Sequence, residues 1–158
     1  ETAYGDFALG VDARQLDNYD VTLANGDLQM AAGYVLGSSR DNFVDFKMNT
    51  SLRWSMGDMF ASASLQHFGD GKGVANNPPT MTATGLVTET ARDIDPITYL
   101  DVQYGMVLPE YNATVRVGID NLLDEDPTFF PETFANDFDP AYRTWGSMHY
   151  YANVSINF

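Results

Sequence analysis

Ser147 and His149 stand two residues apart. In an extended chain such a pair shares one face. A serine beside a histidine is the start of a nucleophile and its base, as a hydrolase at a membrane boundary would need. The spacing alone is weak evidence. His67 is the only other histidine and cysteine is absent, so thiolate catalysis, disulfides and thiolate metal sites are excluded. The chain is therefore read as having no catalytic residues and as not being an enzyme. Paired carboxylates occur at Asp93 and Asp95 and at Asp137 and Asp139. Neither pair sits in a calcium-loop pattern, so no metal and no cofactor are expected. Gly69-Asp70-Gly71-Lys72-Gly73 lacks the full phosphate-loop pattern and a following helix, and reads as a flexible loop. Asn49, Asn112 and Asn153 begin formal glycosylation triplets, read as chance matches.

Binding chemistry is better represented. The stretch 127–145 carries Phe129, Phe130, Phe134, Phe138, Tyr142 and Trp145 among acidic residues. Aromatic faces beside carboxylates and amides suit sugar rings or planar ligands. Phe129, Phe130, Phe134, Tyr142 and Trp145 are the candidate ligand contacts. The alternative for each ring is packing of the loop against its neighbours.

Twenty-two acidic residues against eight basic ones give a formal charge of −14. No cationic footprint for nucleic acid exists. No apolar run reaches the length of a transmembrane helix. The mean hydropathy of −0.24 looks water-compatible, yet a membrane β-barrel has the same average, because only alternate residues meet lipid.

Positioning these groups are six segments with apolar residues at every second position: 6–15, 45–55, 59–68, 97–108, 113–123 and 148–158. Each predicts a strand with one apolar and one polar face. The last sets Met148, Tyr150, Ala152, Val154, Ile156 and Phe158 against His149, Tyr151, Asn153, Ser155 and Asn157. Asp12, Arg14, Arg53, Asp101, Arg116 and Asp120 fall mid-strand on the polar side. Charges there suit a watery lumen and are costly against lipid. Gly57-Asp58 and Pro109-Glu110-Tyr111-Asn112 predict tight turns. The other connections are long, and 28–36 within the first reads as one further strand above the membrane. Short turns at one end and long loops at the other are the plan of an outer-membrane barrel. Trp54, Phe60, Tyr104, Tyr111 and Phe158 lie near the tight-turn end, as an interfacial aromatic girdle would.

The sequence Val117-Gly118-Ile119-Asp120-Asn121-Leu122-Leu123-Asp124-Glu125-Asp126-Pro127, followed by an aromatic acidic loop and a final strand ending in Phe158, resembles the end of TonB-dependent outer-membrane receptors. Asn121-Leu122-Leu123-Asp124 is similar to their recurrent penultimate-strand motif. Tyr99-Leu100-Asp101-Val102-Gln103-Tyr104 and Asn49-Thr50-Ser51-Leu52-Arg53-Trp54 resemble neighbouring strands. The family commonly has Gly-Arg where this chain has Gly146-Ser147.

The resemblance implies an all-β fold: an antiparallel transmembrane β-barrel portion with tight periplasmic turns and long extracellular loops. Such transporters have 22 strands around a plugged lumen. At six strands in 158 residues, a full barrel needs roughly 570 residues. Residues 1–158 are thus expected to be a C-terminal barrel segment, without the plug domain. The implied function is energised uptake across the bacterial outer membrane of a scarce nutrient, such as a metal chelate, a vitamin or an oligosaccharide. The implied partners are outer-membrane lipid, the TonB energy-coupling system through the plug, and the small-molecule or oligosaccharide substrate. The barrel assembly machinery would read the last strand, with Tyr150, Val154, Ile156 and Phe158 as its signal. A small passive or adhesive outer-membrane barrel and a soluble carbohydrate-binding β-sandwich are the alternatives.

Overall fold

Period-two alternation dictates a strand that separates its side chains onto two faces, and six long strands form on that rule. The computed structural model describes residues 3–37, 41–131 and 147–157, with 41 and 42 as backbone only. In chain order the strands are β1 (Asp6–Gln15), β2 (Asp20–Thr22), β3 (Leu28–Met30), β4 (Tyr34–Leu36), β5 (Asp41–Asn42), β6 (Phe46–Met56) and β7 (Met59–Phe68). They continue with β8 (Gly71–Val74), β9 (Thr80–Thr82), β10 (Gly85–Val87), β11 (Arg92–Ile94), β12 (Ile97–Leu108), β13 (Ala113–Asp120) and β14 (His149–Ile156).

The six long strands make one antiparallel sheet in the order β1-β6-β7-β12-β13-β14. Sequence neighbours are spatial neighbours throughout, so the sheet is a meander. Its first tight turn pairs Met56 with Met59 and leaves only Gly57 and Asp58 between. Gly57 has φ +58°, the left-handed backbone that a two-residue hairpin needs and glycine supplies without strain. The second turn is a single 3-10 turn, Pro109–Tyr111, closed by the N–H of Asn112 donating to the Pro109 carbonyl at 3.2 Å.

Register sorts the side chains. One row across the sheet reads Phe7, Trp54, Ala61, Tyr104, Val117, Ala152; the next reads Leu9, Leu52, Ala63, Val102, Ile119, Tyr150. These rows share one face, and that face is open: Leu9 is 71% exposed, Tyr150 73% and Val154 60%. Among the described residues, no second sheet covers it.

The long connections are not plain loops. The first two build two small four-stranded sheets together, β10-β9-β3-β2 and β11-β8-β4-β5. Both sheets mix strands from 16–45 with strands from 69–96. Two expectations are corrected here. The stretch 28–36 is two strands rather than one, broken at 31–33 and divided between the two sheets. Gly71–Val74 is a paired strand, flanked by β4 and β11, rather than a flexible loop. Gly71 and Gly73 there allow close packing against Gly33 and Phe130.

Candidate functional site: a polar wall and its loop cap

The opposite face of the large sheet carries the polar rows. They read Ala8, Arg53, Ser62, Gln103, Gly118, Tyr151, and then Asp6, Ser55, Phe60, Gly105, Arg116, Asn153. Further along come Gly10, Ser51, Ser64 and Asp101, then Asp12, Asn49, Gln66 and Tyr99. Asp12, Arg14, Arg53, Asp101, Arg116 and Asp120 therefore all lie on one face, as their strand positions predict. Four basic side chains on this wall (Arg14, Lys47, Arg53, Arg116) meet four acidic ones (Asp6, Asp12, Asp101, Asp120), so the wall is charge-balanced.

Two rings lie flat on this wall. Phe60 covers Gly105, and Tyr151 covers Gly118. A Cβ at either glycine would enter the ring, so only glycine fits beneath them. Tyr151 donates its hydroxyl to Gln103 Oε1 at 3.2 Å, and the Arg116 guanidinium sits 5.7 Å from the Phe60 ring centre. Phe60 is thus a correction to the expected girdle. It belongs to the polar wall because its strand position has the parity of Ser62 and Ser64. Trp54 and Tyr104 share one row of the apolar face near the tight-turn end, where the Trp54 indole N–H donates to the Tyr4 carbonyl at 2.7 Å.

At the long-loop end the polar wall turns apolar, and there the connections cover it. Phe68, Ile97 and Tyr99 stand on the polar face. Val35 and Val44 of the first connection, Ile94 of the second and Phe130 of the third pack onto them in one cluster. Phe68 and Tyr99 meet edge to face at 6.5 Å between ring centres. Phe130 is 1% exposed. A Cβ on Gly73 would stand 2.5 Å from Phe130 Cε2, so β8 accepts this ring only through glycine. The cap is a joint product of all three long connections. At its surface Lys72 pairs with Asp93, whose carboxylate raises the lysine pKa above its ordinary 10.5.

A cleft of about 220 Å³ in the cap is lined by residues including Asp27, Gln29, Asn77, Thr82 and Glu89. Gln29 Nε2 donates to Asn77 Oδ1 at 3.1 Å, and Asn77 donates from its amide and its backbone to Glu89 Oε1 at 3.2 Å. Glu89 thereby ties the two arms of the second connection together.

The Asn121-Leu122-Leu123-Asp124 stretch is a hydrogen-bonded turn, which shortens the expected strand 113–123 to Ala113–Asp120. Asn121 and Asp124 adopt left-handed φ of +55° and +54°, a conformation Asn and Asp tolerate. Asn121 is 1% exposed. Its backbone N–H donates to Asp101 Oδ1 at 2.8 Å, its Nδ2 to the Glu125 carbonyl at 2.9 Å, and its Oδ1 accepts from the Glu125 N–H at 3.1 Å. Asp101, expected as a lumen charge, thus also holds the end of the next strand.

No family model matches the chain, and no curated protein sequence matches it. Among solved structures it is similar to a single-residue mutant of the ferric enterobactin receptor (PfeA) from Pseudomonas aeruginosa. The identity is 17% and the TM-score 0.46, over 87% of this chain and 21% of that one. The chain spans about a fifth of that receptor's length.

The expected ligand contacts divide. Phe129 is 62% exposed and remains available at the surface. Phe130 is buried against Gly73 and takes the packing role. Phe134, Tyr142 and Trp145 lie outside the described residues, as does Phe158. Tyr150, Val154 and Ile156 share the open apolar face of β14. His149 lies opposite Asp120 in register, on the polar wall. His67 Nδ1 lies 2.8 Å from Thr98 Oγ1 on the apolar side near the loop end. The cap core was missed in sequence because its members are single apolar residues scattered through polar connections. Nothing in the sequence marks Gly73 as the seat of Phe130.

Proposed function

We propose that this chain forms part of the wall and outer loops of an outer-membrane transport barrel of the TonB-dependent receptor class. The observation that carries the reading is the two-faced sheet. Its apolar rows are open, with no covering layer among the described residues, while charges and amides occupy the other face. A soluble β-sandwich would bury the apolar rows against a second sheet. A membrane wall leaves them to lipid and turns the polar rows to a lumen. No helix among the described residues is long and apolar enough to cross a membrane, which says nothing of a barrel. The edges of the sheet, β1 and β14, each pair on one side only among the described residues. In a bilayer both need further strands, because an unpaired edge cannot be hydrated there.

In this reading the tight turns are periplasmic and the cap is extracellular. The cap folds over the polar wall and narrows the mouth, and Phe129 is the described aromatic that faces an incoming ligand. The substrate is a scarce nutrient of the metal chelate, vitamin or oligosaccharide kind. The protein binds and passes it without covalent chemistry, and the coupling force enters through a plug.

The test is a pair of arginine substitutions at the same depth in the full-length protein. Leu52→Arg places a charge on the open apolar face near the middle of β6, and Ser64, opposite Ser51, is the comparison position on the wall. In a membrane barrel, Leu52→Arg costs about 2–4 kcal/mol at mid-bilayer, whereas Ser64→Arg changes stability far less. Reconstitution into lipid vesicles followed by denaturant titration reads the difference. Equal costs would overturn the membrane reading, because the apolar face would then meet water as the polar wall does.

A further inference from the structure

The last long strand faces an ambiguity that its pattern cannot resolve. A slip of one residue would turn all its apolar side chains to the wrong face. A slip of two would not. Tyr150, Ala152, Val154 and Ile156 would still lie beside Val115, Val117 and Ile119, merely one pair further along. Before β14 can pair at all, the chain must also close the connection 121–148, which carries an entropic cost and leaves many arrival points open.

Two features of the structure distinguish the native register from its two-residue neighbours. The first is the turn 121–124. Its position is set by β12: the Asn121 N–H donates to the Asp101 carboxylate and the Leu122 N–H to the Leu100 carbonyl at 2.7 Å. The Asp124 N–H closes the turn on the Asn121 carbonyl at 2.9 Å. Asp124 Oδ1 then accepts the backbone N–H of Met148 at 2.9 Å. Met148 immediately precedes β14, whose first residue, His149, pairs with Asp120, the last residue of β13. One carboxylate oxygen thus catches the returning chain at the level where β12, β13 and β14 are all fixed. The second feature is the Tyr151 ring over Gly118. A slip of two would place Tyr151 opposite Arg116 or Asp120, where a side chain fills the space the ring needs.

We propose that the Asn121–Asp124 turn and the Gly118 seat together form a register lock for the last strand, with Asp124 as the positioning residue that receives it. The lock explains why a buried, hydrogen-bonded asparagine and a left-handed aspartate follow β13, which in the transport-barrel reading is its mouth end. It acts as β14 pairs with β13.

Cysteine pairs read the register directly. A disulfide needs its two Cβ atoms about 4 Å apart, a separation that directly opposed residues approach and diagonal ones do not. Thr114 pairs with Ser155 in the native register. In the full-length protein made in cells, Thr114→Cys with Ser155→Cys reports native pairing, and Thr114→Cys with Asn153→Cys reports the two-residue slip. Asp12→Cys with Asn49→Cys, in β1 and β6, is the distant control. Asp124→Gly removes the carboxylate while relieving the left-handed backbone, and Asp124→Asn keeps an acceptor oxygen. The slipped cross-link should rise several-fold in Asp124→Gly and in Gly118→Ala, and further in the double variant. Asp124→Asn should match the parent, with the control pair unchanged throughout. A slipped cross-link that stays at the parental level in the double variant overturns the lock. So does an Asp124→Asn variant that slips as far as Asp124→Gly, or a control pair that falls in step with the native one.

Discussion

Phe129 and Phe130 are adjacent in the chain and opposite in environment, one at the surface and one sealed beneath the cap. Truncating them should separate the two roles. Phe130→Ala removes a fully buried ring and should cost about 3–5 kcal/mol, read as protease sensitivity of the connections. Phe129→Ala should stay within about 0.5 kcal/mol of the parent in stability while weakening substrate binding if it meets the ligand. Gly73→Ala should loosen the cap much as Phe130→Ala does, because its Cβ would occupy the ring's place. Neither glycine nor phenylalanine announces this pairing in sequence, since the contact joins residues far apart in the chain. Lys72 and Asp93 behave differently. Both are exposed, so their attraction is screened by salt. The lysine pKa is raised in the folded protein. Whatever the pair contributes is therefore present below the ordinary lysine value and is lost as pH rises through the raised one. Limited proteolysis across alkaline pH should show β8 and β11 loosening in the parent, and no such change in Lys72→Met.

At the scale of elements, alternation carries most of the information. The strands expected at 6–15, 59–68 and 97–108 have those bounds in the structure, because each has an unbroken period of two between residues that favour turns. The strand expected at 113–123 stops at Asp120, because the Asn121 side chain offers the backbone a turn in place of the sheet ladder. Leu122 and Leu123 continue the apolar run and so disguise that stop. Asn121→Ala should leave the Glu125 backbone groups without their side-chain partner and strain a left-handed position. A loss of about 1–3 kcal/mol is expected, measured by denaturant titration in lipid. Outside 28–36 the small cap strands gave no sequence signal for a further reason: two to four residues are too few to show a period, and the two small sheets are completed only where the connections meet, at β3–β9 and β4–β8.

At the scale of the whole molecule, the described residues form a large sheet with two edges, an open apolar face and most of their tight core in the cap at one end. That distribution suits a piece of wall better than a self-sufficient globule. The 158-residue chain alone in detergent-free buffer should not remain a monomer that melts cooperatively. Analytical ultracentrifugation with a thermal scan checks this, and a well-behaved monomer would remove the membrane reading. The charge distribution belongs to the same scale. Among the described residues the wall is balanced, so it adds nothing to the chain's excess of acidic over basic residues, 22 against 8.

What the sequence by itself determined was the set of six strands, their two faces, the alternation of tight and long connections and the side of the sheet that holds each mid-strand charge. These follow from local rules of period and turn chemistry. Only the tertiary structure decided that the long connections build one shared cap over the polar wall, that Phe130 is packing, and that Asp124 receives the last strand. Each of those depends on groups brought together from distant parts of the chain, and no local period encodes which distant group arrives.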